Sequence, residues 1–197
     1  MTQLATGRPG RPAASTRQAA LALAQERFLA GERIDVQAIA RDLGLARATM
    51  HRWFQTRDAL LGETIAALAE WRVAAARSAT PGSGAGALLA TCDRINREFA
   101  GSHGLRALLM QEHERALRIL TSSGGIVQPR VVAAVARMID EEIEAASFAS
   151  PVAPDVLAYS IVRLGEAFIY NDAVVGIKGD VERLLEVEAA LLGVSSP

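Results

Sequence analysis

Arg47, Ala48, Thr49 and Arg52 follow one another closely in a stretch whose other residues, Ile39, Leu43, Leu45, Met50 and Trp53, are apolar at helical spacing. Their chemistry suits the base edges and phosphates of a DNA duplex. A guanidinium can donate two hydrogen bonds to guanine, worth about 1 to 3 kcal/mol of discrimination, and the methyl groups of Ala48 and Thr49 match a thymine methyl. Arg47 and Thr49 are the expected base readers, and His51, Arg52, Thr56 and Arg57 the expected phosphate contacts. Upstream, Gly7-Arg8-Pro9-Gly10-Arg11-Pro12 reads as an extended basic arm, with Arg8 and Arg11 suited to a minor groove whose narrow channel concentrates negative potential.

Charge follows the same division. Nine arginines against five acidic residues leave +4 up to position 60, and twelve basic against seventeen acidic residues leave −5 over the rest. Catalytic signatures are absent from the sequence. His51, His103 and His113 have no metal-ligand spacing, His113 lies outside any HExxH frame, and neither a phosphate-binding glycine loop nor a nucleophile elbow occurs. The expectation is a protein that is not an enzyme and uses no cofactor and no metal. Cys92 alone excludes an internal disulfide, fits a reducing compartment and reads as a small buried hydrophobe. No apolar run reaches the roughly 20 residues of a membrane helix, and the start lacks a leader pattern, so a soluble cytoplasmic protein without a membrane partner is expected.

These side chains need helices to position them. Apolar residues recur at three- and four-residue spacing and alternating strand patterns are missing, which predicts an all-α fold. Nine helices are expected: Thr16 to Gly31, Val36 to Leu43, Arg47 to Phe54, Arg57 to Ser78, Ala87 to Ala100, Leu105 to Thr121, Pro129 to Phe148, Pro154 to Gly176 and Val181 to Leu192. Ser15 with Gln18 suggests a capping box for the first, and Thr56 an N-cap for the fourth. Ala40 is small where two helices would cross, and Gly44 can take the left-handed conformation that turns the chain between them. The expected domains are a flexible basic arm over 1–14, a helix-turn-helix DNA-binding domain over 15–60, and a ligand-binding and dimerisation domain over 61–197, with Thr80 to Gly86 as a linker.

The run Leu45-Ala-Arg-Ala-Thr-Met-His-Arg-Trp-Phe-Gln-Thr-Arg-Asp-Ala-Leu-Leu61 resembles the tetracycline-repressor (TetR) family, with its recognition helix, aromatic pair, cap, basic residue and Leu-Leu in order. That family usually has tyrosine where His51 stands, lysine where Arg57 stands and often a serine cap where Ala46 stands. A missing cap would loosen the recognition helix by about 0.5 to 2 kcal/mol. Glu114 to Thr121, Val127 to Val132 and Arg163 to Asp172 are similar to the QsdR-like branch. The resemblance implies a homodimer on double-stranded operator DNA, paired through a four-helix bundle, and a lactone or acyl ligand whose binding relieves repression.

In the C-terminal half, Tyr159, Arg163, Glu166 and Tyr170 form a mixed stripe along one helix. Arg163 and Glu166 read equally well as a surface pair and as polar groups orienting a ligand. Met110, Glu112 and His113, with Trp71, Phe99 and Met138, complete the candidate lining, although Trp71, Phe99 and Met138 also suit a core. The acidic run Asp140, Glu141, Glu142, Glu144 reads as a solvated face. Leu164, Phe168, Val175, Leu184, Leu185 and Leu191 are short of polar cover and form the expected dimer surface. The alternative is a helical small-molecule-binding or interaction protein that does not read DNA.

Overall fold

The computed structural model describes residues 16–171 and 180–194. Arg8, Arg11 and Val175 lie outside the described residues. Those residues form ten α-helices and no strand, one helix more than the spacing predicts. They are α1 (Arg17–Leu29), α2 (Val36–Asp42), α3 (Arg47–Phe54), α4 (Arg57–Ala79), α5 (Gly84–Ala100), α6 (His103–Gln111), α7 (His113–Thr121), α8 (Val127–Glu144), α9 (Pro154–Glu166) and α10 (Val181–Leu192). No helix among the described residues is long and apolar enough to cross a membrane.

Two apolar clusters hold the helices together. The first gathers Ala20, Ala24 and Phe28 of α1, Ile39 and Ala40 of α2, Met50 and Phe54 of α3, Leu60 and Leu61 of α4, Leu105 and Leu109 of α6, and Leu120 of α7. Apolar packing therefore runs continuously across position 60. The second joins α4, α5, α8, α9 and α10 through Leu88, Ile95, Met138, Ile139, Leu157 and Leu192, among others.

Several boundaries differ from the spacing for identifiable reasons. The α1 N-cap is Thr16, whose hydroxyl accepts from the Ala19 N–H at 3.1 Å, one residue after the expected Ser15. The expected single helix over 105–121 is two, because Glu112 leaves helical geometry at φ −141°, ψ 46°. Its carboxylate takes two hydrogen bonds from Arg57 at 2.7 Å each, one from Arg115 at 2.8 Å and one from Arg33 at 3.2 Å. Arg57 stands at the first position of α4 and also donates its Nε–H to the Ile34 carbonyl at 2.6 Å. One carboxylate thus ties the start of α4 and the approach to α2 to the break between α6 and α7.

In the acidic run Asp140, Glu141 and Glu144 are exposed, as a solvated face requires, and a second carboxylate, Glu142, is the exception. Glu142 is buried, accepting from the Gly84 N–H at 2.6 Å, from the Ser147 hydroxyl at 2.6 Å and from Arg77. Burial pushes its pKa up, but these donors outweigh that and hold it below the ordinary value. The expected linker is pinned here. Gly84 has φ +75°, and a Cβ on it would lie 2.5 Å from the Ser147 carbonyl oxygen, so only glycine fits.

Two checks on this packing follow. A Cβ at Gly104 would sit 1.9 Å from the Phe28 carbonyl oxygen where α6 meets α1, whereas one at Gly86 would meet open space. Gly104→Ala should cost at least about 2 kcal/mol in denaturant unfolding, and Gly86→Ala should be neutral or stabilise by up to about 1 kcal/mol; equal effects would refute the close approach. The Arg57 hydrogen bonds hold the Glu112 carboxyl down at about 2, against an ordinary 4.5. The resulting stability, about 3 kcal/mol, is complete above pH about 4.5 and lost as the pH falls towards about 2. Glu112→Gln should lower stability at neutral pH and flatten that acid limb in urea titrations.

Candidate nucleic-acid interface and internal cavity

The turn between α2 and α3 is built from three local features. Asp35 caps α2, accepting from the N–H groups of Gln37 at 2.7 Å and Ala38 at 3.2 Å. Gly44 takes φ +63° and the Leu45 N–H closes back on the Ala40 carbonyl at 2.8 Å. No atom crowds a Cβ built on Gly44, so glycine is required there for backbone conformation and not for space. Ile39, Ala40, Met50 and Phe54 then bury the inner faces of both helices.

What α3 leaves outside is Arg47, Ala48, His51 and Arg52, all exposed, with Thr49 partly buried at the edge. Arg47 and Arg52 have no hydrogen-bond or ion-pair partner among the described residues. Ala46 gives α3 no side-chain cap. Thr56 is exposed and caps α4, its hydroxyl oxygen accepting from the Ala59 N–H at 3.0 Å, which leaves its O–H proton available. Arg57 departs from the expected phosphate role: its guanidinium is spent on Glu112 and Ile34, and its side chain is largely buried.

Further along, α5, α7, α8 and α9 surround a cavity, with Val73 of α4 on its wall. It leaves about 50 Å³ open to the centres of water-sized molecules, room for a few waters or a small ligand. Most of the wall is aliphatic. Glu166 is buried at its edge, accepting from Gln128 Nε2 at 3.2 and 3.3 Å and from Arg163 at 2.6 Å. Burial raises its pKa against the opposing pull of Gln128 and Arg163. Burial, reinforced by Glu166, also raises the Tyr170 phenol. Behind the wall, Glu188 of α10 is fully buried and accepts from Asn96 Nδ2 at 3.1 and 3.0 Å. Its carboxyl is pushed up to about 7, mainly by burial, with the Asn96 bond opposing and Asp93 adding to the rise.

Of the candidate lining residues, Phe99, Glu166 and Tyr170 do face this cavity. Trp71 and Met110 are instead about two-thirds exposed, and His113 is exposed too. Glu112 belongs to the ion cluster at the head of α4, away from the cavity wall. Met138 is core. The mixed stripe divides along its length: Tyr159 and Arg163 face outward, the guanidinium 5.9 Å above the Tyr159 ring, while Glu166 and Tyr170 face inward. A π-helical stretch, Ala167–Asn171, widens the turn where this change occurs. Asn96 and Gln128 are the polar wall residues that spacing does not single out. The available signal was a polar side chain on an otherwise apolar helix face.

The expected dimer surface also divides. Leu184 is fully buried within the chain, because the α10 spacing turns Leu184, Ala189 and Leu192 inward. It is not available to a partner. Leu185 and Leu191 pack partly on the second cluster, and Leu164 and Phe168 are half-buried.

Comparison with known proteins agrees with this architecture. Residues 83–193 match the family described as tetracyclin repressor-like, C-terminal domain. The transcriptional repressor QsdR of R. erythropolis, a TetR-family protein, is 29% identical, with 92% of this chain and 96% of that chain covered and a TM-score of 0.83. The TetR-family repressor AlkX of Dietzia sp. strain DQ12-45-1b, implicated in biodegradation of n-alkanes, is 20% identical over 91% of this chain and 99% of that chain; its TM-score of 0.60 is a likeness of fold. No curated protein matches the sequence. With the family match covering more than half its length, the chain belongs to the tetracycline-repressor family of helix-turn-helix transcriptional regulators.

Proposed function

We propose that the protein is a ligand-responsive repressor that binds operator DNA as a homodimer and releases it when a small, mainly apolar molecule enters the cavity. The observation that carries the DNA reading is the exposed face of α3, where Arg47 and Arg52 have no partner among the described residues while Arg57 beside them is fully engaged. Arginine left unpaired beside a packed helix-turn-helix is available to an outside acceptor. Arg47, Ala48 and Thr49 would meet base edges, and His51, Arg52 and Thr56 phosphates, with Arg8 and Arg11 of the arm over 1–14 in the adjacent minor groove. Residues 15–60 would read DNA and 61–197 would bind ligand and pair. Leu164, Phe168, Leu185 and Leu191 of α9, its π-helical extension and α10 would meet their equivalents across a two-fold axis. A DNA-reading role places the protein in the cytoplasm. Likeness to QsdR supports a ligand of the lactone or acyl class.

The route from cavity to DNA is short. Val73 of α4 and Leu120 of α7 both line the cavity, and the N-terminal ends of those two helices meet in the Arg57–Glu112 pair. A ligand that shifts α7 against α4 would thereby reorient the heads. Coupling of about 1 to 3 kcal/mol changes DNA affinity about 5- to 150-fold. The competing reading is a helical binding protein that no longer reads DNA.

Gel-shift titration on the DNA upstream of its own gene decides between them. The Arg47→Ala, Arg52→Ala double variant should bind at least about tenfold more weakly, with a shallower log-log salt slope and an unchanged melting temperature, since both side chains are exposed. Identical binding by the variant, or wild-type binding indifferent to salt, would favour the protein without DNA function.

A further inference from the structure

The polar atoms on the cavity wall are unevenly divided between acceptors and donors. Asn96 is 7% exposed and gives its amide nitrogen to the Glu188 carboxylate. With both Glu188 oxygens within 3.1 Å of Nδ2, Oδ1 is turned the other way. Oδ1 points at α9, where a Cβ built on Gly165 would lie 3.5 Å from it, and both residues line the cavity. Gln128 is 3% exposed, and its Nε2 donates to the Thr121 carbonyl at 3.1 Å and to Glu166. A backbone carbonyl cannot donate, so this amide has one allowed orientation, leaving Oε1 over. Neither amide oxygen accepts a hydrogen bond among the described residues.

Two carbonyl oxygens of buried side chains are thus left without a donor among the described residues, and the Tyr170 hydroxyl on the same wall can donate as well as accept. Water can serve them in the empty cavity, and a ligand that displaces the water must reproduce its bonds. Charge narrows the choice. No described residue lining the cavity is cationic, and the Arg163 guanidinium, which pairs with Glu166 at its edge, is already engaged. A carboxylate would enter beside Glu166 with no counter-ion among the described residues of the wall. An ammonium has no free carboxylate to meet, because Glu166 is taken by Arg163 and Gln128, and Glu188 lies behind Asn96.

Resting on the ligand-responsive reading of this cavity, we infer that its ligand is a mainly apolar molecule whose buried polar end is an uncharged hydrogen-bond donor, a hydroxyl or an amide N–H, received by Asn96 Oδ1 and Gln128 Oε1. Within the acyl class this selects amides and hydroxylated chains. A bare lactone ring, which only accepts, leaves both oxygens unserved.

Three six-carbon-sized probes test it on the full chain by isothermal titration calorimetry: 1-hexanol, methyl pentyl ether and hexanoate. The alcohol should bind at least about tenfold more tightly than the ether, which keeps the oxygen and lacks the proton, and than the carboxylate. Ether or hexanoate binding as tightly as hexanol would overturn the donor assignment and leave the cavity reading standing. Failure of all three to bind would remove the cavity reading, and the donor assignment with it. Asn96→Leu and Gln128→Met should each reduce the preference for alcohol over ether; a preference unchanged in both folded variants would place the donor elsewhere and overturn the inference. The wild-type series decides even if Asn96→Leu, which strips Glu188 of its partner, does not fold.

Discussion

The grip of Arg57 on Glu112 is the constraint on which the arrangement of this molecule depends. A guanidinium and a carboxylate matched in two parallel hydrogen bonds of 2.7 Å, both side chains largely buried, give direction as well as energy. The Nε–H of the same arginine holds the Ile34 carbonyl just before α2. The start of the long α4, the entry to the helix-turn-helix and the break between α6 and α7 are thereby assembled around one carboxylate. Losing one partner would leave the other poorly solvated, so the cost of breaking the pair exceeds its net contribution to folding.

This joint gives the two apolar clusters different mechanical roles. The first packs α1 to α3 against the N-terminal half of α4, α6 and α7, so the head is not a bead on a string. The second surrounds the cavity and contains buried acids whose solutions differ. Glu142 is fully served and stays ionised, pinning the α4–α5 connection. Glu166 is half-compensated at the cavity edge, and Glu188 has an amide where a cation would be the stronger partner. Incomplete compensation lies near the cavity, and complete compensation lies where helices are joined.

Much of the fold was legible in the residues. The period of the apolar positions set an all-helical chain, and Gly44, with nothing but backbone conformation demanding it, marked the turn between α2 and α3. The outward set of Arg47, Ala48 and Arg52 follows from the same period, although the inward partner of Met50 is Phe54, with the expected Trp53 only partly buried. Local spacing suffices there, since the face a side chain occupies is decided within two turns.

The roles of Arg57, Glu112, Asn96, Gln128 and Leu184 were decided only by tertiary structure. A basic residue after a threonine cap fits a phosphate equally well until a carboxylate fifty-five positions away arrives to claim it. An interrupting glutamate on an apolar helix face announces that it needs a partner but not that satisfying it will break the helix. The inward or outward sense of Leu184 depends on which face α10 turns to α5, and whether an amide is core or binding site depends on which of its atoms the neighbours leave unserved. Sequence determines the faces and their chemistry through local geometry. Long-range packing assigns the partners, because hydrogen bonds and ion pairs join groups that the chain brings together only on folding.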